Sequence, residues 1–132
     1  MRPSDVVRRR YTTFDAGDLD SMIEAIHPKA EVESYAAGRT VLYGRDEVRA
    51  AFARAGETAY RVVFDVLEDL DDATALAAGS VRYTPPDGAG FVMSRSAWLW
   101  TLRDGLAWRC EIFADVAAAR SAWARRTGAA AP

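Results

Sequence analysis

The chain holds one cysteine, Cys110, and one histidine, His27, among its 132 residues. A lone thiol excludes an intrachain disulfide and any site built on several thiolates, so the fold must be held by its core alone. No apolar run near the N-terminus resembles a signal peptide, and no window approaches the ~20 apolar residues of a membrane span. A reducing cytoplasm is therefore the expected compartment, without membrane contact. Clustered positive charge is missing too. Sixteen of the 17 basic residues are arginines interleaved with acids, and the net charge is −2, so a phosphate-binding groove for nucleic acid is not expected.

What is present is the profile of a globular domain: 50% hydrophobic and 27% charged residues. A chain of this length buries roughly two-thirds of its unfolded surface, enough for one core and too little for two. Residues 1–126 are expected to form one domain and 127–132 a mobile tail. Val6, Val7, Tyr11 and Phe14 recur at helical spacing behind Ser4, with Arg8 and Arg9 on the wet side. Leu19, Met22, Ile23 and Ile26 predict a second helix that Asp18 caps and Pro28 ends. A strand is expected over 30–35 and a Gly38-containing loop after it. A third helix then runs from Gly44 to Gly56, with Asp46 and Glu47 near its positive end. From Tyr60 the period changes to two. Strands are predicted over 60–67, 73–84, 91–102 and 106–114, separated by DLDD, TPPDGAG and RDG, with a short helix over 116–124. Helices first and antiparallel strands afterwards is an α+β order, with the helices on one face of a strongly curved sheet that encloses a cavity.

Register decides which side chains line that cavity. Treating Arg103-Asp104-Gly105 as a three-residue loop pairs Trp100 with Trp108, Trp98 with Cys110 and Ser96 with Ile112, which collects the apolar residues. A two-residue turn at Asp104-Gly105 would instead set Trp100 against Arg109. The first register puts Ser94, Ser96, Trp98, Trp100, Trp108, Cys110 and Ile112 inside. Leu99, Phe113, Arg95, Arg109 and Glu111 fall outside, with Arg95 near enough to Glu111 for an ion pair. That outer face is apolar enough to suggest a homodimer formed across it; a merely amphipathic face is the alternative.

The strings RYTTFDAGDLDSMIEAIHPKAEVE, YGRDEVRAAF and WLWTLRDGLAWRCEIFAD, in this element order, resemble the nuclear-transport-factor-2-like superfamily, and within it the SnoaL-like relatives of polyketide cyclases and ketosteroid isomerases. The resemblance implies a cone-shaped barrel of three helices around a bent sheet, with an apolar cavity and a homodimer through the sheet's outer face. Ketosteroid isomerases use a tyrosine, an aspartate base and a second, protonated carboxyl. Matching FDAGD and HPKAEVES puts Arg10, Ser34 and Trp98 at those places. All three are substituted, so isomerisation by that mechanism is not expected, and no catalytic residue carries over.

The remaining candidates each have a plain alternative. His27 could be a base, or a helix-terminal residue. Asp115 could be an acid–base group at the cavity mouth, or the cap of the last helix. Arg10 could bind a carboxylate or enolate inside the barrel, or belong to a solvated Arg8-Arg9-Arg10 face. Cys110 reads as a small core hydrophobe. Phe14, Ser34, Ser94, Ser96, Trp98, Trp100, Cys110 and Ile112 make a coherent pocket for a flat apolar ligand, aromatic or polycyclic, or a core that the tryptophans fill. Gly88 and Gly90 sit between strands and read as hairpin glycines. The expectation is a cofactor-free, metal-free ligand-binding barrel, with cyclase, isomerase or hydrolase chemistry or with none.

Overall fold

The computed structural model describes residues 1–34, 40–56, 60–83 and 92–128. The elements are α1 (Pro3–Asp15), α2 (Leu19–Glu24), β1 (Ile26–Ser34), β2 (Thr40–Tyr43), α3 (Gly44–Gly56), β3 (Arg61–Asp71), β4 (Thr74–Tyr83), β5 (Val92–Arg103), β6 (Leu106–Phe113) and α4 (Val116–Thr127). The α+β class is as expected. The strands form one sheet in the order β2-β1-β6-β5-β4-β3, antiparallel except where β1 runs parallel to β6.

Both faces of the sheet are covered. Inside, Val6 and Val7 of α1, Met22 and Ile23 of α2, and Val48 and Phe52 of α3 pack with strand residues of alternate parity such as Val32, Ala75, Ala77, Trp98 and Trp100. The interleaved residues Leu76, Ala78, Ala97 and Leu99 face the other way and are buried under Ala119, Ala122 and Trp123 of α4. Central β4 is therefore apolar at nearly every position rather than at every second one. Polar contacts fasten α4 down: Arg126 to Glu111, Arg120 to Glu68, and Trp123 Nε1 donating to Asp71 Oδ2 at 2.8 Å. The apolar outer residues from which a second subunit was inferred are thus covered by the chain's own last helix. That helix extends to Thr127, longer than expected, and ends on left-handed Gly128. Residues 129–132 of the expected tail lie outside the described part, as do the Gly38 loop and the TPPDGAG turn.

Four local expectations change. The second helix stops at Glu24, and His27 and Pro28 belong to β1. Pro28 is tolerated there because the β1–β6 ladder is interrupted between Ile26 and Glu31, where no backbone N–H is required. The segment before α3 contains the short strand β2, which has too few residues to show a period. The β3–β4 turn is shorter than DLDD, since β3 runs on to Asp71. The last hairpin does turn on two residues, Asp104 (φ 54) and Gly105 (φ 74), with Arg103 opposite Leu106. Two left-handed residues give the twist that hairpin strands favour. A bulge at Trp108 then moves the register by one, so Trp100 meets Cys110 and Trp98 meets Ile112. Trp108 itself leaves the inner face, its ring under the guanidinium groups of Arg109 (4.8 Å) and Arg103 (5.5 Å). Arg95 pairs with Asp65 at 2.7 and 2.9 Å, not with Glu111.

A second bulge, at Asp65 between Phe64 and Val66, bends edge strand β3 over its neighbour Gly79. A Cβ at Gly79 would lie 2.0 Å from the Val63 carbonyl oxygen, so only glycine permits this approach. The bend delivers Phe64 to the barrel interior.

Candidate ligand site

The interior is lined by aromatic rings set edge to face. Tyr11 meets Phe64 at 4.6 Å and Trp100 at 6.0 Å, Phe64 meets Trp98 at 5.9 Å, and Phe14 meets Phe52 at 5.3 Å and Tyr60 at 6.1 Å. Such geometry opposes positive ring edges to negative ring faces. Into this assembly α1 inserts a charge. Arg10 lies four residues after Val6 and four before Phe14, on the stripe that faces the sheet, and is 1% exposed. Its guanidinium carbon sits over the rings of Tyr11 (4.1 Å), Phe52 (4.2 Å) and Trp100 (5.6 Å). Nε and Nη1 are both buried without a hydrogen-bond acceptor, as is the indole nitrogen of Trp100. The solvated-face alternative for Arg10 is thereby excluded.

The neighbours are neutral. Burial pushes the Tyr11 hydroxyl far above its ordinary value, with the Arg10 charge opposing the shift, so Tyr11 stays a phenol. Trp100, whose indole N–H falls short of hydrogen-bond geometry, also opposes that shift. Burial likewise raises the Cys110 thiol well above its usual range, again with Arg10 opposing, which makes it an inert core group.

The other residues expected in the pocket are placed as follows. Ser34, Ser96, Trp98, Trp100, Cys110 and Ile112 are all buried, and Phe14 is partly buried against them. The Ser94 side chain lies outside the described part. Asp115 accepts from Ala118 N at 2.8 Å as the α4 cap, the plain alternative for this residue. His27 does not end a helix and does not join the aromatic set. Its Nδ1 accepts from Lys29 N at 2.9 Å, which leaves the proton on Nε2, 3.2 Å from Asp104 Oδ2. The pair ties β1 to the β5–β6 turn. Glu31 and Glu33 face outward as alternation requires, Glu31 toward Arg109 and Glu33 accepting from Ile112 N. Tyr11, Phe52, Tyr60 and Phe64 were not assigned to the site from sequence. The stripe position of Arg10 was the signal that could have drawn in its ring partners. Among the described residues, no group of three or more His, Cys, Asp or Glu could hold a metal ion, and no helix is long and apolar enough to cross a membrane.

Comparison with known proteins agrees with this architecture. An NTF2-like protein from Burkholderia thailandensis is similar at 24% identity, with 93% of this chain and 98% of that one covered and a TM-score of 0.74. A Δ5-3-ketosteroid isomerase from Mycobacterium sp. has 15% identity over 89% of this chain and 97% of that one, TM-score 0.73. A Mycobacterium tuberculosis protein crystallised in complex with estradiol-17β-hemisuccinate has 11% identity over 89% and 98%, TM-score 0.75. At these identities the likeness establishes the fold. No curated protein matches the sequence. The model of the SnoaL-like domain matches residues 7–110, most of the chain, and the protein belongs to that family.

Proposed function

We propose that the barrel interior binds a small, flat, apolar ligand, aromatic or polycyclic, without a cofactor. The observation that carries this reading is the company Arg10 keeps: a charged side chain at 1% exposure, with Ser34 and Ser96 also buried, inside a wall of aromatic rings. Packing alone never calls for a buried guanidinium, whereas ligand sites combine aromatic walls with a few polar groups. The polycyclic ligand of the M. tuberculosis neighbour supports small-ligand binding within the fold. Proton abstraction of the isomerase kind is not part of the proposal, because Ser34 stands where the resemblance expects a base, and a hydroxyl cannot take a proton from carbon near neutrality. Cyclase, isomerase or hydrolase chemistry by another route is carried only as an extension of this reading.

A second reading has its own support. Trp98 and Trp100, at 2% and 1% exposure, fill interior space themselves, as they would in a non-catalytic module. Native mass spectrometry before and after denaturation separates the two, together with thermal shifts against polyketide-like aromatics. A released small molecule or a saturable shift supports ligand binding; neither, across the panel, refutes it. The homodimer proposal passes to the part of the outer face that α4 leaves open, around Arg95 and Arg109, and the same spectrum gives the subunit number.

A further inference from the structure

Guanidinium groups do not shed their charge in proteins, so the two unpaired nitrogens of Arg10 cannot be relieved by deprotonation. Contact with ring faces offsets part of the charge but satisfies no N–H. Among the described residues no carboxylate pairs with Arg10, and two ionisable groups that feel its charge, Tyr11 and Cys110, are held neutral by burial. A buried donor set of this kind calls for an acceptor from outside the chain.

The surroundings say where that acceptor comes from. Tyr11 not only stacks on the guanidinium but also walls a groove of about 390 Å³ between α1 and β3, shared with Thr12, Val62, Phe64 and Leu67. The charge therefore lies one ring behind the surface. The acids on the groove are engaged, Asp65 by Arg95 and Asp15 by Arg61 at 3.9 Å, so they do not compete for Arg10.

We propose that Arg10 is the anchor for an anionic oxygen, a carboxylate or an enolate, carried on the flat ligand, with the rings of Tyr11, Phe52 and Trp100 holding the adjoining ring system. This rests on the ligand-binding reading and narrows its chemistry from apolar to amphiphilic and anionic. It also gives Arg10 a binding role, since an arginine stabilises negative charge on oxygen but supplies no base.

The test compares 2-naphthoate with 2-naphthamide, probes of like shape and different charge, by calorimetric titration of the wild type, Arg10→Met and Arg10→Lys. The wild type is expected to bind naphthoate at least tenfold more tightly than the amide. Arg10→Met is expected to keep its affinity for the amide and lose the preference. Equal wild-type affinities, or a preference that survives in Arg10→Met, overturn the assignment while leaving ligand binding intact. If neither probe binds the wild type, the ligand-binding reading falls and this assignment with it. Should Arg10→Met not fold, Arg10→Lys, which keeps the charge without the planar fork, is expected to bind naphthoate more weakly than the wild type does and the amide equally well; an unchanged naphthoate affinity there overturns the assignment.

Discussion

Replacing Arg10 by methionine is expected to stabilise the ligand-free protein. Methionine keeps an unbranched stem in the same channel and removes the charge. An uncompensated buried charge costs about 3–5 kcal/mol. The two close ring contacts, at 4.1 and 4.2 Å, return about 2 kcal/mol between them. The balance favours methionine by about 1–3 kcal/mol, which at about 4 °C per kcal/mol for a domain of this size raises Tm by about 4–12 °C. The assay is urea unfolding followed by circular dichroism, on protein refolded from denaturant so that nothing is carried over from purification. The midpoint should rise with the slope unchanged, as a pure stability change requires. A loss of about 1 kcal/mol or more at unchanged slope would refute the reasoning, because it would mean that Arg10 is already satisfied in the free protein. Stabilisation by deleting a buried charge is the signature of a group kept for binding at the expense of the fold.

Other perturbations test other parts of the account. Gly79→Ala brings a Cβ to 2.0 Å from the Val63 carbonyl and should cost about 2–4 kcal/mol by chemical denaturation; a neutral outcome would show that the β3 bulge is not held by the missing side chain. Asp115→Ala removes the α4 cap and should cost about 1 kcal/mol while leaving probe affinity unchanged, whereas a change in affinity would return Asp115 to the binding site. The hydrogen bonds from Arg95 hold the Asp65 carboxyl below its ordinary value, so its contribution is complete above about pH 4 and disappears as pH falls through the lower folded-state value. Tm measured from pH 7 to 2.5 should accordingly fall less steeply on acidification in Asp65→Asn than in the wild type, and parallel curves would contradict this.

How far the sequence reached can be judged from particular residues. Periodicity located α1 and α3 closely, because each buries one stripe along more than three turns and so repeats its signal. It overran at Ile26, an apolar residue that fits the helical stripe of α2 equally well as the first residue of β1; six helical residues carry too little pattern to fix their own end. The four-residue β2 had no pattern to offer. In the last hairpin, sorting residues by polarity chose the right inner set, Ser96, Trp98, Trp100, Cys110 and Ile112, by way of a wrong turn. Polarity constrains which side chains share a face, but a bulge after the turn changes the count without changing the faces, so a three-residue loop and a two-residue turn with a bulge at Trp108 were indistinguishable for those residues. Only Trp108 separates them.

The outer face shows the complementary limit. Leu99 and Phe113 correctly signalled that something covers that side, yet apolar character does not specify what covers it. A second subunit and the chain's own α4 meet the same requirement, and the moderate polarity of α4, with arginines at 120, 125 and 126, masked its apolar side. Arg10 is the reverse case. Its neighbours in sequence, Arg8 and Arg9, are exposed, and a run of three arginines reads by composition as one wet surface. A helix turns 100° per residue, so a run of three spans more than half its circumference and at least one member must face away from the others. Here that member faces the core. A charged residue that helical period sends inward, at a position where only an apolar side chain would help folding, marks a place where function has overridden packing. That conflict, between the period of α1 and the charge it buries, is what the Arg10→Met measurement puts to the test.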